Sequence, residues 1–176
     1  GRVRSIIVDS RDISNKTWII GGVGGGIYKT TDSGVNYEHL SPELDNAYIT
    51  ALVQGEQNPN IIYAGAGAAW TYASAGFSGG SMYKSNDGGN NWSNISLKDS
   101  LGNVDQKFRS ISRMVIDPKD DDILTIATWA GSSLANDNAA GFIYRTEDGG
   151  NTWNEIYQAG PQERITQLVS SPKDSK

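Results

Sequence analysis

Apolar residues in this chain alternate with polar ones over short segments, and no stretch of useful length repeats at a helical interval. Three such alternating segments lie at residues 3–9, 48–54 and 111–117. Each is followed by a polar turn and then by a nearly continuous apolar segment, at residues 18–23, 61–65 and 123–129. Alternation predicts a half-buried strand, whereas a segment that is apolar on both faces predicts a strand buried between two layers.

A third and a fourth strand complete each unit. The third strands are predicted at residues 26–30, 81–85 and 142–146, and the fourth begin at Tyr37, Trp92 and Trp153 and run for about five residues. A further alternating segment at residues 163–169, followed by a proline-containing turn at residues 171–174, predicts the first strand of another unit. The pattern therefore predicts three four-stranded antiparallel units and the beginning of a fourth.

One nine-residue pattern occurs three times between the third and fourth strands. It reads K-T-T-D-S-G-V-N-Y at residues 29–37, K-S-N-D-G-G-N-N-W at 84–92 and R-T-E-D-G-G-N-T-W at 145–153. A recurrence in phase with the strands is typical of a repeat protein. The aspartate can accept N–H groups of its own turn, and the glycines can adopt positive φ angles. The hydroxyl can bond across the hairpin and the aromatic ring can cover it, so all of these roles fall inside one unit.

The pattern Ser/Thr-x-Asp-x-Gly-x-x-aromatic between two strands resembles the Asp-box, or BNR, repeat. That repeat is known in sialidases, xyloglucanase-like glycoside hydrolases, sortilin-type receptors and photosystem assembly factors. The resemblance implies an all-β fold, a β-propeller of four-stranded antiparallel blades. The first copy departs from the family pattern at Tyr37, where tryptophan is usual, and at Ser33, where glycine is usual. The residues assigned to the structural Asp-box are Thr30, Asp32, Gly34, Tyr37, Ser85, Asp87, Gly89, Trp92, Thr146, Asp148, Gly150 and Trp153.

We expect a single partial propeller domain over residues 1–176, with blades at about 3–41, 48–97 and 110–158 and the start of the next at 163–176. Three blades do not close a propeller, which usually has about four to eight. The expected partners therefore include the remaining blades, supplied by the same chain or by an associated chain.

Composition excludes several classes of function. The net charge of −5 disfavours a nucleic-acid partner, which a basic face would attract. The absence of cysteine excludes disulfides, thiolate metal sites and a cysteine nucleophile. We expect no cofactor, and no metal at the acidic turns, since a calcium loop needs more oxygen ligands than one aspartate supplies. We expect no membrane span, and the resemblance implies a secreted or cell-envelope location.

A propeller would place the loops that follow second and fourth strands on one face, here called the loop face. The loops that follow first and third strands, including the acidic hairpins, would lie on the opposite turn face. Loops of the loop face differ in length between units, which favours that face for binding. Candidate binding residues for a protein or glycan are Trp70, Tyr72, Phe77, Asn136 and Asn138. The alternative is that Trp70 and Phe77 fold inward and cover the blade.

The leading hypothesis is noncatalytic binding of a protein or glycan. The alternative is part of a glycoside hydrolase of xyloglucanase or sialidase type, which needs two carboxyl groups about 5–10 Å apart. A third hypothesis is an assembly scaffold that binds a protein through the same face. Candidate catalytic residues are Asp45, Asp105 and Asp137. We expect equivalent positions for Arg4, Arg113 and Arg164 on the first strands of their units, which are the innermost strands of a propeller, where they could line a central channel. His39, the only histidine, is expected to be solvated on an outer strand.

Overall fold

The computed structural model describes residues 2–44, 48–67, 81–108, 110–130 and 140–171. The described chain forms three four-stranded antiparallel sheets, each a consecutive meander. The first sheet contains β1 (Arg2–Val8), β2 (Trp18–Val23), β3 (Gly26–Thr30) and β4 (Glu38–His39). The second contains β5 (Ile49–Gln54), β6 (Ile62–Ala66), β7 (Met82–Ser85) and β8 (Ser93–Asn94). The third contains β9 (Ile111–Ile116), β10 (Leu124–Trp129), β11 (Gly141–Thr146) and β12 (Asn154–Gln158), preceded by a short 3₁₀ helix (Gln106–Phe108).

This architecture confirms the predicted all-β partial propeller. The predicted strand at residues 163–169 is present only as an irregular segment lying along the third sheet. Its Glu163 carbonyl accepts the N–H of Gly141, and its Ile165 carbonyl lies 3.4 Å from the Ser112 hydroxyl. In the other sheets the first strand pairs with a second strand that follows it in the sequence. The described residues contain no such strand after residue 169, so the segment has no partner for a β-ladder and does not form a regular strand.

The hydrophobic core lies between successive sheets. One cluster joins the first and second sheets and includes Ile19, Ile27, Ile49 and Leu52. The other joins the second and third sheets and contains Tyr63, Met82, Phe108, Ile111 and Leu124, among others. The first strands of the second and third sheets, β5 and β9, therefore pack against the sheet before them, and the sheets stabilise one another by burying apolar surface.

Glycine in the second strands permits this close approach of the sheets. A Cβ atom built on Gly21 would lie 2.6 Å from Cγ2 of Ile49, and one on Gly65 would lie 2.6 Å from Cγ2 of Ile111. The third sheet has Ala127 at the same register position. The separation between successive sheets is thus set at one position in each second strand.

A β-bulge near the start of the first strand in each sheet marks equivalent positions and so shows how the arginines align. The extra residue is Arg4 in β1, Thr50 in β5 and Ser112 in β9. Arg113 therefore lies one position beyond the equivalent of Arg4, and Arg164 precedes Ile165, which takes the place of Ile111. The three arginines therefore do not share one register position. Instead, the Thr50 hydroxyl lies within hydrogen-bond distance of the carbonyl oxygens of Gly65 and Ile111, which links two sheets.

No helix among the described residues is long and apolar enough to cross a membrane.

Candidate functional site

The acidic hairpin of the second sheet shows how the repeated pattern is used. Oδ1 of Asp87 accepts the backbone N–H groups of Asn90 and Asn91 at 3.0 and 2.9 Å and the Ser85 hydroxyl at 2.8 Å. The Ser85 oxygen in turn accepts the N–H of Gly89 at 2.8 Å. Every one of these bonds is made inside the hairpin, so the turn satisfies its own backbone donors.

The other two hairpins repeat this arrangement. Asp32 and Asp148 accept the hydroxyls of Thr30 and Thr146, each at 2.8 Å, and the backbone N–H four positions later, each at 2.9 Å. Hydrogen bonds from that later residue, through its backbone and side chain, are the largest cause lowering the pKa of all three aspartates to about 2. The three carboxylates are therefore ionised at neutral pH and already hold several donors each.

The aromatic residue that ends each hairpin also contacts the preceding sheet, so its role is not confined to one blade. Nε1 of Trp153 donates to the carbonyl of Ile95 in the second sheet at 2.9 Å, and a Cβ on Gly150 would lie 2.5 Å from Ile95 Cδ1. Trp92 packs against the cluster between the first and second sheets. Tyr37 is 51% exposed, because no sheet among the described residues precedes the first.

Asp105 is the one candidate catalytic residue that the structure describes. Its Oδ1 accepts the N–H of Lys107 at 2.8 Å, and its carbonyl accepts the N–H of Phe108 at 2.8 Å. These bonds begin the short 3₁₀ helix, and Phe108 anchors that helix in the core at edge-to-face contact with Tyr144 and Trp153. Asp105 is thus engaged in shaping the loop that leads into the third sheet.

A neighbouring trio of polar residues was not anticipated from the sequence. Oε2 of Glu155 accepts both the Lys107 ammonium at 2.9 Å and the Tyr144 hydroxyl at 3.0 Å. The Lys107 hydrogen bond is the largest cause lowering the pKa of Glu155, whereas burial, followed by the bond to Glu155, raises the pKa of Tyr144. A tyrosine paired with a glutamate is the arrangement of a sialidase-like nucleophile, but Tyr144 is only 2% exposed and its pKa moves away from ionisation. The trio fastens the loop between β8 and β9, which contains Lys107, to β11 and β12 of the third sheet.

On the described part of the loop face, the first sheet carries only a tight turn at Gly24 and Gly25. The guanidinium of Arg164 lies over the ring of Trp129, 4.3 Å from its centre, at the end of β10. His39 is exposed on the outer strand, as predicted, and stacks on Tyr28 at 4.7 Å between ring centres.

The remaining candidate residues lie outside the described part of the chain. They are Asp45 and Asp137 among the candidate catalytic residues, and Trp70, Tyr72, Phe77, Asn136 and Asn138 among the candidate binding residues. Their roles stay predictions. Within the described ranges, no group of three or more His, Asp or Glu side chains could hold a metal ion.

Comparisons with known proteins place the fold. No protein-family model and no curated protein matches the chain. Among solved structures, it is similar to a GH74 enzyme from Niastella koreensis (TM-score 0.64, 20% identity, 87% of this chain and 22% of that one). It is also similar to an ancestral GH74 enzyme (TM-score 0.62, 20% identity, 92% of this chain and 19% of that one). A third similar structure is YCF48 bound to a D1 peptide (TM-score 0.54, 20% identity, 90% of this chain and 41% of that one).

The chain spans about a fifth of each GH74 structure and about two-fifths of YCF48. At such low identity the likeness concerns the fold alone. Together with the three meander sheets, it shows that the chain forms three blades of a β-propeller-like fold.

Proposed function

We propose that this chain is a module of an Asp-box propeller, secreted or exposed on the cell envelope, that binds a protein or a glycan through its loop face without catalysing a reaction. The observation that carries the proposal is the use of the acidic side chains. The three hairpin carboxylates and Asp105 each accept hydrogen bonds from their own loop. Groups engaged in this way hold the framework and leave recognition to other residues.

The contrast between the two faces supports this assignment. The turn face repeats one hairpin with the same bonds in all three sheets, as expected for a structural element. On the loop face, the connection from β2 to β3 is two residues, whereas the β6–β7 and β10–β11 connections span residues 67–81 and 130–140. Variable loops on a rigid repeated scaffold are the usual location of binding residues, and here they include Trp70, Tyr72 and Phe77.

The names of similar structures agree with both classes of ligand. YCF48 was solved bound to a peptide, and the GH74 structures are named as enzymes of a glycoside hydrolase family. The glycoside hydrolase alternative requires a pair of carboxyl groups across a scissile bond. Among described residues, Asp105 faces its own helix turn and Glu155 is bound to Lys107 and Tyr144.

A binding experiment on the 176-residue chain tests the proposal. We would apply the purified chain to a glycan array and to an array of extended peptides, and compare it with two variants. The W70A/F77A variant should lose binding, whereas V35A should keep it, because Val35 is 78% exposed on the turn face. Absence of binding to both arrays would refute the binding role. Hydrolysis of a chromogenic glycoside that D105N abolishes would establish the enzyme alternative instead.

A further inference from the structure

Each junction between two sheets contains a cation on the turn face. At the first junction, Arg11, which is also paired with Asp9 of its own sheet, donates through Nη1 to Oδ1 of Asn60 in the following sheet at 3.0 Å. At the second junction, Nζ of Lys84 donates to Oδ1 of Asp122 in the following sheet at 2.9 Å. In both cases the preceding sheet supplies the positive charge and the following sheet supplies a side-chain oxygen from the turn after its first strand.

A glycine makes room for this cation in each following sheet. The carbonyls of Asn60 and Asp122 accept the N–H groups of Gly88 and Gly149, each at 2.9 Å. A Cβ on Gly88 would lie only 1.7 Å from Arg11 Nη1, and one on Gly149 only 2.4 Å from Lys84 Nζ. The cation therefore occupies a space that any other residue at the glycine position would fill.

The first sheet has neither the side-chain oxygen acceptor nor the glycine that the other two sheets have at these positions. The carbonyl of Lys16 accepts the N–H of Ser33 at 3.0 Å, so these two residues hold the positions of the Asn60/Gly88 and Asp122/Gly149 pairs. Ser33 carries a Cβ at φ +61°, in a backbone region that favours glycine. Lys16 places a positive charge where the other two sheets have an oxygen acceptor. A cation from a preceding sheet would meet both a side chain and a like charge there.

The outer face of the first sheet, which we define by Val3, Ile6 and Val8, is nevertheless apolar. These residues are 60%, 55% and 49% exposed. The residues at the register position of Ile6 in the other sheets are Leu52 and Met114, and both are buried against the preceding sheet at 6% and 8% exposure. The outer face is thus the same kind of surface that receives a sheet at the two internal junctions.

We propose that the outer face of the first sheet binds another four-stranded sheet of the same repeat, and that this sheet presents a carboxylate, not a cation, to Lys16. The apolar residues make the surface suitable for packing against a sheet. Lys16 and Ser33 favour a sheet with a carboxylate at this junction over a sheet with a cation there. The third sheet of a second copy of this chain does not fit, because the segment that begins at Glu163 already lies along that sheet, where its Ile165 carbonyl contacts the Ser112 hydroxyl as the Ile111 carbonyl contacts the Thr50 hydroxyl. The occupant is therefore a blade other than the three described here.

A fusion protein tests both parts of the proposal. A second copy of residues 48–110 is placed directly before Val3, so that the loop at 98–110 joins the added sheet to β1 as it joins β8 to β9. The chain has no cysteine, so a single V8C substitution in the first sheet reports coverage of the outer face by its rate of reaction with a thiol reagent. With K84E in the added copy, the V8C thiol should react about tenfold more slowly than in the 176-residue chain, because a covered thiol reacts only after local opening. With Lys84 retained, the slowing should be at most about twofold, since like charges oppose the contact.

A rescue and a control complete the design. In the fusion that retains Lys84, K16N/S33G in the first sheet restores the internal type of junction and should bring back the full protection. An L101C reporter in the original loop between β8 and β9, where Leu101 is 84% exposed, should react equally in every protein. Equal protection by the K84E and Lys84 fusions would overturn the charge requirement, and lack of protection in all three fusions would overturn the binding face itself. Concentration-dependent protection of V8C in the unfused chain, together with dimers in sedimentation, would show that a second copy is the occupant and would also overturn the proposal.

Discussion

Replacing Gly65 by alanine should weaken the packing between the second and third sheets. The new Cβ would lie 2.6 Å from Cγ2 and 2.8 Å from Cβ of Ile111, and 3.3 Å from the sulfur of Met114. Two of these three atoms belong to a β-branched side chain whose Cβ is fixed by the backbone of β9, so relief requires the sheets to move apart. Overpacking of this kind costs about 1–3 kcal/mol. For a chain of this length, that corresponds to a fall of roughly 2–12 °C in Tm.

The assay is equilibrium unfolding in urea, followed by tryptophan fluorescence, for wild type, G65A and a matched control, G22A. Gly22 also lies in a second strand, but a Cβ there would be 3.6 Å or more from its neighbours. The control should therefore leave the unfolding free energy unchanged or raise it by about 0.4–1 kcal/mol, through the lower entropy of the unfolded chain. If G65A unfolds at the same urea concentration as G22A, close contact between successive sheets does not depend on glycine, and the packing argument fails.

Three further predictions concern hydrogen bonds. S85A should lower the unfolding free energy by about 1–3 kcal/mol in urea titrations, because the buried Gly89 N–H loses its acceptor; a shift under 0.5 kcal/mol would contradict this. D121A should cost about 2–4 kcal/mol in the same assay, because that buried carboxylate accepts the N–H groups of residues 56–58 in the preceding sheet; unchanged stability would show that the turn refolds around water. The three hairpin aspartates have a pKa of about 2 in the folded chain against an ordinary 3.8, so their contribution is complete above pH 4 and should be lost as the pH falls to 2. Urea midpoints measured between pH 5 and pH 2 check this, and a flat profile would refute it.

The sequence located the central strands well. The third strands were predicted at residues 26–30, 81–85 and 142–146 and occur at Gly26–Thr30, Met82–Ser85 and Gly141–Thr146. They end where the hairpin residues begin, and those residues have strong local preferences. The fourth strands were predicted to run for about five residues, but β4 and β8 contain only two. Edge strands have one neighbour, so their length depends on what packs beside them and less on their own pattern.

Contacts between sheets were the part that local reasoning could not supply. The bonds inside a hairpin follow from residue type, because the aspartate and its donors lie within four positions of each other. The Lys84–Asp122 and Trp153–Ile95 bonds join residues far apart in the sequence, and no local preference encodes them. The bulge at Thr50 likewise left no trace in the alternation, so the hydrogen bonds by which its hydroxyl links two sheets were not predicted.

The self-contained hairpin has a consequence for how such chains can be rearranged. The aspartate, the hydroxyl and the N–H donors all lie within nine consecutive residues. A gene duplication or a graft of this segment would therefore keep every hydrogen bond of the turn. The hydrogen bonds that join neighbouring sheets cannot be transferred in this way, because the two partners, such as Lys84 and Asp122, lie in different units. Rearranging the order of the units would therefore preserve every hairpin turn but would separate the side chains that pair across the junctions between sheets.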